Sequence, residues 1–214
     1  MIIYLMGIDG AGKSTIGARI QQELEKTAVC ELVWARYQPN FVKALISPFR
    51  KKKVRSSQDY NNMSAKDYVT WTNSKKMKVQ KHPILAKILY LIQYLEYSCQ
   101  IKNVLNGKDG KHLIVDRYVL DFIVDQTINY GDISKSLFTR KLLKKVAGFD
   151  KILFVNVDSE IAFKRKDDIP SLEYLNERRT IYLDYVRRLP NAISVSNNGD
   201  IEDTMKEVYK ILGL

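Results

Sequence analysis

The fold of this chain is decided by its first stretch, Met1-Ile2-Ile3-Tyr4-Leu5-Met6-Gly7-Ile8-Asp9-Gly10-Ala11-Gly12-Lys13-Ser14. The apolar residues before Gly7 form a run short enough for a buried strand. The residues from Gly7 onward fit the pattern G-x-x-x-x-G-K-[ST] at every fixed position, and a helical pattern follows them. This order of strand, glycine-rich loop and helix predicts a loop whose backbone N–H groups bind phosphate.

The side chains of this loop indicate which phosphate compound it binds. Lys13 can reach β- and γ-phosphates, and the hydroxyl of Ser14 can ligate Mg²⁺, so we expect ATP and Mg²⁺. Asp9 is unusual because a triphosphate repels a carboxylate, and we expect it to face an acceptor hydroxyl instead. The residues predicted to contact ATP are Gly7, Asp9, Gly10, Ala11, Gly12, Lys13, Ser14 and Thr15.

Beyond the loop, short apolar runs alternate with amphipathic stretches, which is typical of βαβ units. We predict an α/β fold: a P-loop three-layer sandwich with a five-stranded parallel sheet and helices on both faces. No linker interrupts the pattern, so residues 1–214 are expected to form a single P-loop kinase domain. The predicted strands are 2–6, 31–35, 112–115, 151–157 and 192–195; the predicted helices are 13–26, 65–80, 83–105, 134–146, 159–166, 171–188 and 201–212.

Composition limits the compartment and the partners. The 214 residues include 45% hydrophobic and 28% charged residues, as in ordinary globular domains, and they contain no apolar run long enough to span a membrane. Without an export signal, we expect the cytoplasm. Cys30 and Cys99 form no disulfide or metal framework and are predicted to be buried thiols. His82 and His112 are expected to be structural.

The net charge is +11, and the densest basic run is Arg50-Lys51-Lys52-Lys53-Val54-Arg55. This run is either a solvated loop or a positive rim that attracts a phosphorylated substrate. Nucleic-acid binding is disfavoured because the run lacks the interleaved aromatic residues of a stacking platform. The sequence leaves a homodimer open as an oligomeric state.

Three segments resemble thymidylate kinases. The first is the loop Gly7-Ile8-Asp9-Gly10-Ala11-Gly12-Lys13-Ser14-Thr15. The second, Leu113-Ile114-Val115-Asp116-Arg117-Tyr118, is similar to the D-R-Y motif at the end of that family's third strand. The third, Asp150-Lys151-Ile152-Leu153-Phe154-Val155-Asn156-Val157 followed by Glu160-Ile161-Ala162-Phe163-Lys164-Arg165, resembles the strand and helix that lead into its lid. The resemblance covers most of the chain and implies ATP-dependent phosphoryl transfer to a nucleoside monophosphate.

The resemblance also implies roles for individual residues around the acceptor. Asp9 would contact a sugar hydroxyl, and Asp116 would lie beside Mg²⁺ and the transferred phosphate. Arg117 and Arg36 would hold the acceptor's phosphate. Gly10 stands where some members have arginine, and members with glycine place basic catalytic residues in the lid, here residues 164–171.

Arg165, with Lys164 and Lys166, is the candidate for that catalytic role in the lid. Gln126 aligns with a substrate-binding glutamine. Physical reasoning agrees with the assignments at the D-R-Y motif, because an Asp116-Arg117 pair at a strand end supplies alignment and positive charge for phosphoryl transfer. A structural salt bridge is the alternative explanation for these two residues.

The base pocket departs from the thymidylate kinase pattern. Asp125 replaces the aromatic residue that would stack on thymine, and the stretch Gln93-Tyr94-Leu95-Glu96-Tyr97 lacks the arginine that would face the base. Tyr94 and Tyr97 are predicted as core residues. Two further functions therefore stay open: a kinase of the same scaffold that acts on a nucleoside, sugar or sugar phosphate, and a low-turnover nucleotide-binding protein.

Overall fold

A computed structural model of the chain describes residues 1–41, 81–106 and 110–214, together with the single positions 44, 70, 73, 74, 77 and 79. The basic run at 50–55 lies outside the described residues. So does most of the predicted helix 65–80.

The described residues contain one sheet of five parallel strands in the order β2-β3-β1-β4-β5. The strands are β1 (Ile2–Met6), β2 (Cys30–Trp34), β3 (His112–Asp116), β4 (Lys151–Asn156) and β5 (Ala192–Ser196). The three central strands are the most apolar, and their inner residues are almost fully buried. Burial on both faces is what a parallel sheet covered by helices requires, and the predicted fold class is confirmed.

The described helices begin and end at recognisable signals. Pro83 occupies the first turn of its helix, Ser171 and Asp200 cap two others through their side chains, and Gly213 ends the last helix in the left-handed conformation. The helices are α1 (Lys13–Leu24), α2 (Pro83–Gln100), α3 (Val119–Tyr130), α4 (Leu137–Lys144), α5 (Ser159–Lys164), α6 (Leu172–Val186) and α7 (Ile201–Leu212); a 3₁₀ turn, Lys145–Gly148, follows α4.

The structure corrects three predictions. Helix α3 was not predicted, because eight of its residues are buried and no apolar stripe marks a helical period. Helix α2 ends at Gln100 instead of residue 105, since residues 101–105 form turns. Cys99 is exposed and not buried, whereas Cys30 is buried as expected. Tyr97 is completely buried and stacks on Phe122 of α3 with 4.4 Å between ring centroids, which confirms it as a core residue.

The strand order places a crevice where ligands of such sheets bind. From β1 the chain goes first to β2 and β3 on one side, and then to β4 and β5 on the other. In open parallel sheets, ligands lie beyond the carboxyl ends of the strands at such a reversal. The glycine-rich loop after β1 and the Asp116-Arg117 pair at the end of β3 meet at this point, because Leu5 and Asp116 are paired in neighbouring strands.

Among the helices that the structure describes, none is both long and apolar enough to cross a membrane.

Candidate active site

The loop of residues 7–14 turns sharply between β1 and α1, and all three of its glycines have positive φ and no room for a Cβ. Gly10 has φ +79°, and a Cβ built on it would collide with the backbone carbonyl oxygen of Ala162 in α5. Gly12 has φ +88° and would meet the side-chain amide of Asn197 at 2.6 Å. An arginine, which some thymidylate kinases have at the position of Gly10, therefore has no room in this chain.

Lys13 lies at the start of α1 and is buried, with 6% of its surface exposed. Its ammonium group donates to the carbonyl oxygens of Gly7 and Ile8, each at 2.8 Å. Burial, followed by the charge of Arg117, lowers the pKa of Lys13 to about 8. The ammonium group of Lys13 therefore lies within the loop, where it can neutralise phosphate charge on a bound nucleotide.

The start of α1 is open for an anion. The N-cap residue is Gly12, which has no side chain that could cap the first turn, and Ser14 and Thr15 are exposed. The free N–H groups and the dipole at a helix N-terminus favour negative charge. The glycine-rich loop and this helix start adjoin at the position where the sequence predicts a phosphate site.

Asp116 has the chemistry of a Mg²⁺-binding residue. Its Oδ1 atom is buried, and within the described residues no donor reaches it. Burial raises the pKa of Asp116, although the nearby charges of Lys13 and Arg117 oppose the rise. A buried carboxylate oxygen without a partner is costly unless a bound species satisfies it. With the exposed hydroxyl of Ser14, Asp116 offers oxygen ligands of the type that Mg²⁺ prefers.

Arg117 joins the loop to the rest of the site. Its guanidinium group forms an ion pair with Asp9 and a longer contact, 3.5 Å, with Asp121. Tyr174 of α6 donates to the other oxygen of Asp9 at 3.0 Å. Burial raises the pKa of Asp9, but Arg117, Lys13 and Arg36 outweigh it and hold this pKa well below its usual range. Arg117 has φ +65°, an uncommon backbone conformation for a residue with a side chain.

Asp121, in the first turn of α3, lies beneath this pair and is 3% exposed. Its carboxylate accepts hydrogen bonds from the hydroxyls of Tyr4 and Tyr182, at 2.8 and 2.7 Å. It also accepts from the backbone N–H of Tyr118 at 3.0 Å. Asp121 is therefore the centre of a buried polar cluster that contacts the guanidinium group of Arg117.

Asp125 is paired with a cation that the sequence did not reveal. Arg178 of α6 donates to Asp125 at 3.1 Å, and its guanidinium carbon lies 3.5 Å from the ring centre of Tyr174. A guanidinium at this distance from an aromatic face is held by a cation–π contact. The stretch 93–97 of α2 has no arginine, and α6 instead places Arg178 beside Asp125.

Arg36, just past the end of β2, is one of the charges that hold the pKa of Asp9 low, and it opposes the rise that burial causes in the pKa of Tyr174. Arg36 therefore lies near Asp9, which is paired with Arg117, so the three residues predicted to contact the acceptor share one region. Gln126 is buried in α3, and no donor among the described residues reaches its Oε1 atom.

Arg165 is placed differently from the other predicted residues. It donates to the carbonyl oxygen of Asn197, in the loop after β5, at 2.9 Å. The side chain of Asn197 in turn donates to the carbonyl oxygen of Ala11 in the glycine-rich loop at 2.8 Å. Arg165 therefore touches the phosphate loop through Asn197 and does not join the pair of Arg117 and Asp9.

Four residues of the site were missed by sequence reasoning: Asp121, Tyr174, Arg178 and Asn197. Asp121 could have been noticed in the sequence, because it lies where thymidylate kinases have a serine after the D-R-Y motif. The other three are reached only by contacts between α6 or the last loop and residues far away in the sequence, and no local pattern marks them.

No protein-family profile matches the chain. A curated thymidylate kinase from Francisella tularensis subsp. holarctica (strain OSU18) is 22% identical over 219 aligned positions, which cover 98% of this chain and 94% of that protein. The solved thymidylate kinase of Candida albicans is 19% identical, with a TM-score of 0.56 over 99% of this chain and 90% of that one. The deoxyadenosine kinase of M. mycoides, solved with bound dATP, is 17% identical, with a TM-score of 0.57 over the whole of both chains. The predicted resemblance to thymidylate kinases is confirmed, within a group of related nucleotide kinases.

Proposed function

We propose that this thymidylate kinase-like chain is an ATP-dependent phosphotransferase that moves the γ-phosphoryl group of ATP to a nucleoside monophosphate. The observation that carries the proposal is the meeting of two sites at the crevice between β1 and β3. The glycine-rich loop with Lys13 makes up one of them; Arg36 and Arg117, with Asp9 of the same loop, make up the other. A phosphate donor and a phosphorylated acceptor each find a cationic group there, which favours transfer between them.

The donor side has four parts in this proposal. The backbone of residues 7–15 surrounds the phosphates of ATP, and Lys13 neutralises charge on the oxygens of the transferred group. Ser14 and Asp116 would hold Mg²⁺, which when bound neutralises phosphate charge. Arg165 and its neighbours in the lid, residues 164–171, are proposed to close over the donor and complete the catalytic site.

The acceptor side orients the attacking phosphate. Arg117 has five N–H donors, so it can bind Asp9, Asp121 and a phosphate oxygen together. Arg36 supplies a second guanidinium, and Asp9 remains within reach of a sugar hydroxyl. Because little covalent chemistry is required in phosphoryl transfer, alignment by these groups would account for most of the protein's contribution.

Steady-state kinetics of single variants test the acceptor-phosphate assignment. Arg36→Ala and Arg117→Lys should raise the acceptor KM by about 10- to 100-fold, because each removes a charge-assisted contact of about 1.5–3 kcal/mol. The KM for ATP should change much less. Arg188→Ala is the matched control, since Arg188 forms an exposed ion pair with Asp184 away from the site. An unchanged acceptor KM in both test variants would refute the assignment.

A second candidate function is phosphorylation of a nucleoside, and one observation favours it. Arg117 is already bound by two carboxylates, those of Asp9 and Asp121, so its charge is largely compensated. Burial lowers the pKa of Arg117, but Asp9 and Asp121 outweigh it and raise this pKa above its ordinary value. A nucleoside hydroxyl needs no cation and could use Asp9 as its partner. Comparison of each nucleoside with its monophosphate at fixed ATP–Mg²⁺ separates the two functions.

The comparison also separates both functions from a third candidate, a nucleotide-binding protein with little turnover, which would phosphorylate neither compound. The single domain over 1–214 and a cytoplasmic location are parts of the same proposal. Light scattering would determine the oligomeric state and show whether the chain forms a homodimer.

A further inference from the structure

The pair of Asp125 and Arg178 lies next to the acceptor site and is not used by the phosphate chemistry. Arg178 is held on two sides, by the face of Tyr174 and by Asp125 Oδ1. The side chain of Arg178 is 13% exposed, whereas that of Asp125 is 32% exposed. The carboxylate is therefore the more accessible partner, and the arginine contact leaves it further acceptor positions.

A continuous chain of contacts connects this pair with the phosphate loop. Tyr174 donates to Asp9 and carries Arg178 on its ring, and Arg178 reaches Asp125. Arg117 precedes α3 by two residues, and Asp125 lies about 9 Å along that helix from its first residue, Val119. This spacing suits a nucleotide whose phosphate lies at Arg117 and whose base lies at Asp125.

A second acceptor oxygen on α3 is independent of this pair. Phe122 and Tyr130, one turn before and after Gln126, contact Tyr97 and Gln93 of α2. Gln126 therefore faces the seam between α2 and α3, where its buried Oε1 has no donor among the described residues. Such a buried acceptor is unfavourable unless a ligand or water donates to it.

Resting on the proposed function, we propose that the acceptor is a nucleotide whose base carries an exocyclic amino group, and that Asp125 is the residue that selects it. An amino group donates two N–H bonds, and Asp is a known partner of the cytosine amine. Arg178 fixes the carboxylate and donates to a neighbouring ring nitrogen or carbonyl of the base. Thymine and uracil instead offer one N–H between two carbonyl oxygens, and a carboxylate repels these oxygens.

The test is the specificity of the purified chain for dAMP, dCMP, dGMP, dTMP and CMP at saturating ATP–Mg²⁺. The best amino-bearing deoxynucleotide should exceed dTMP by tenfold or more in kcat/KM. In Asp125→Asn this ratio should fall at least tenfold, because an amide can donate to a thymine carbonyl. Asp184→Asn is the matched control, as Asp184 forms an exposed pair on the same helix as Arg178, and its ratio should equal that of the wild type.

Equilibrium dissociation constants of dCMP and dTMP for the wild type give a second readout that needs no variant and no turnover. A lead of dTMP in both measurements, or an unchanged ratio in folded Asp125→Asn, overturns the inference and leaves the proposed function intact. A loss confined to CMP would show that Asp125 binds a ribose hydroxyl, and it also overturns the inference. If no monophosphate is phosphorylated, the proposed function fails and the inference fails with it.

Discussion

Replacement of Asp121 by asparagine tests whether a buried charge holds the acceptor side of the site together. The carboxylate receives three short hydrogen bonds, from Tyr4, Tyr182 and the N–H of Tyr118, and the longer contact with Arg117. Asparagine has nearly the same shape but only one acceptor oxygen. If this oxygen faces Tyr4 and Tyr118, the new NH₂ group faces Tyr182 and the guanidinium of Arg117.

The expected cost follows from these contacts. One charge-assisted bond, of about 1.5–3 kcal/mol, is weakened, and among the described residues Arg117 keeps its ion pair with Asp9. A buried pair that loses one partner entirely costs about 3–5 kcal/mol. Because Asp9 remains, we expect Asp121→Asn to lower the free energy of unfolding by about 2–4 kcal/mol. The acceptor KM should rise as well, since Arg117 is no longer held from below.

Urea denaturation at pH 7.5 measures the first effect, with an unchanged m-value as the sign that the same surface unfolds. Initial rates at varied acceptor and varied ATP measure the second effect. Tyr182→Phe removes one donor and keeps the charge, so its acceptor KM should stay near that of the wild type. A loss of stability below about 1 kcal/mol in Asp121→Asn, with unchanged kinetics, would refute the idea that this charge positions Arg117.

Three further predictions concern the phosphate loop. Lys13→Ala should lower kcat more than tenfold, at least about 1.4 kcal/mol of transition-state stabilisation, with the fold intact by circular dichroism. Folding lowers the pKa of Lys13 from 10.5 to about 8. Between these pH values the unfolded chain binds one more proton at Lys13 than the folded chain does. The free energy of unfolding should therefore rise with pH across that window. The urea midpoint of the wild type should increase between pH 7.5 and pH 10 by this effect, and that of Lys13→Met should not. Equal changes in the two proteins would contradict the prediction. Gly10→Ala should destabilise the chain by at least about 1 kcal/mol more than Gly213→Ala, because both have positive φ but only Gly10 has a backbone atom in the way; equal midpoints would show that α5 moves aside.

The sheet could be predicted because its signals are local. The strands β1, β3 and β4 are apolar runs bounded by a glycine loop, a charged pair or a turn, and their bounds differ from prediction by at most a residue. The position of the glycine-rich turn after β1 and that of the Asp116-Arg117 pair at the end of β3 could be predicted for the same reason. Each is a short motif whose physical role depends on residues adjacent in the sequence.

Helix α3 and the base side of the site could not be predicted in this way. The buried residues of α3 surround the whole helix, so neither a helical nor a strand period stands out. The contact of Asp125 with Arg178 joins residues 53 positions apart, and that of Tyr174 with Asp9 joins residues 165 apart. Only the packing of α6 against α3 and the phosphate loop brings these groups together.

The difference between the two cysteines makes the chain suitable for selective labelling. Burial raises the pKa of the Cys30 thiol to about 11, whereas Cys99 is exposed on α2. Since the thiolate is the reactive form, a maleimide dye at neutral pH should attach to Cys99 and leave Cys30 untouched. Helix α2 contacts the segment after β2 through Glu96 and Tyr37, one residue beyond Arg36. A fluorophore on Cys99 would thus report acceptor binding in real time without any engineered mutation.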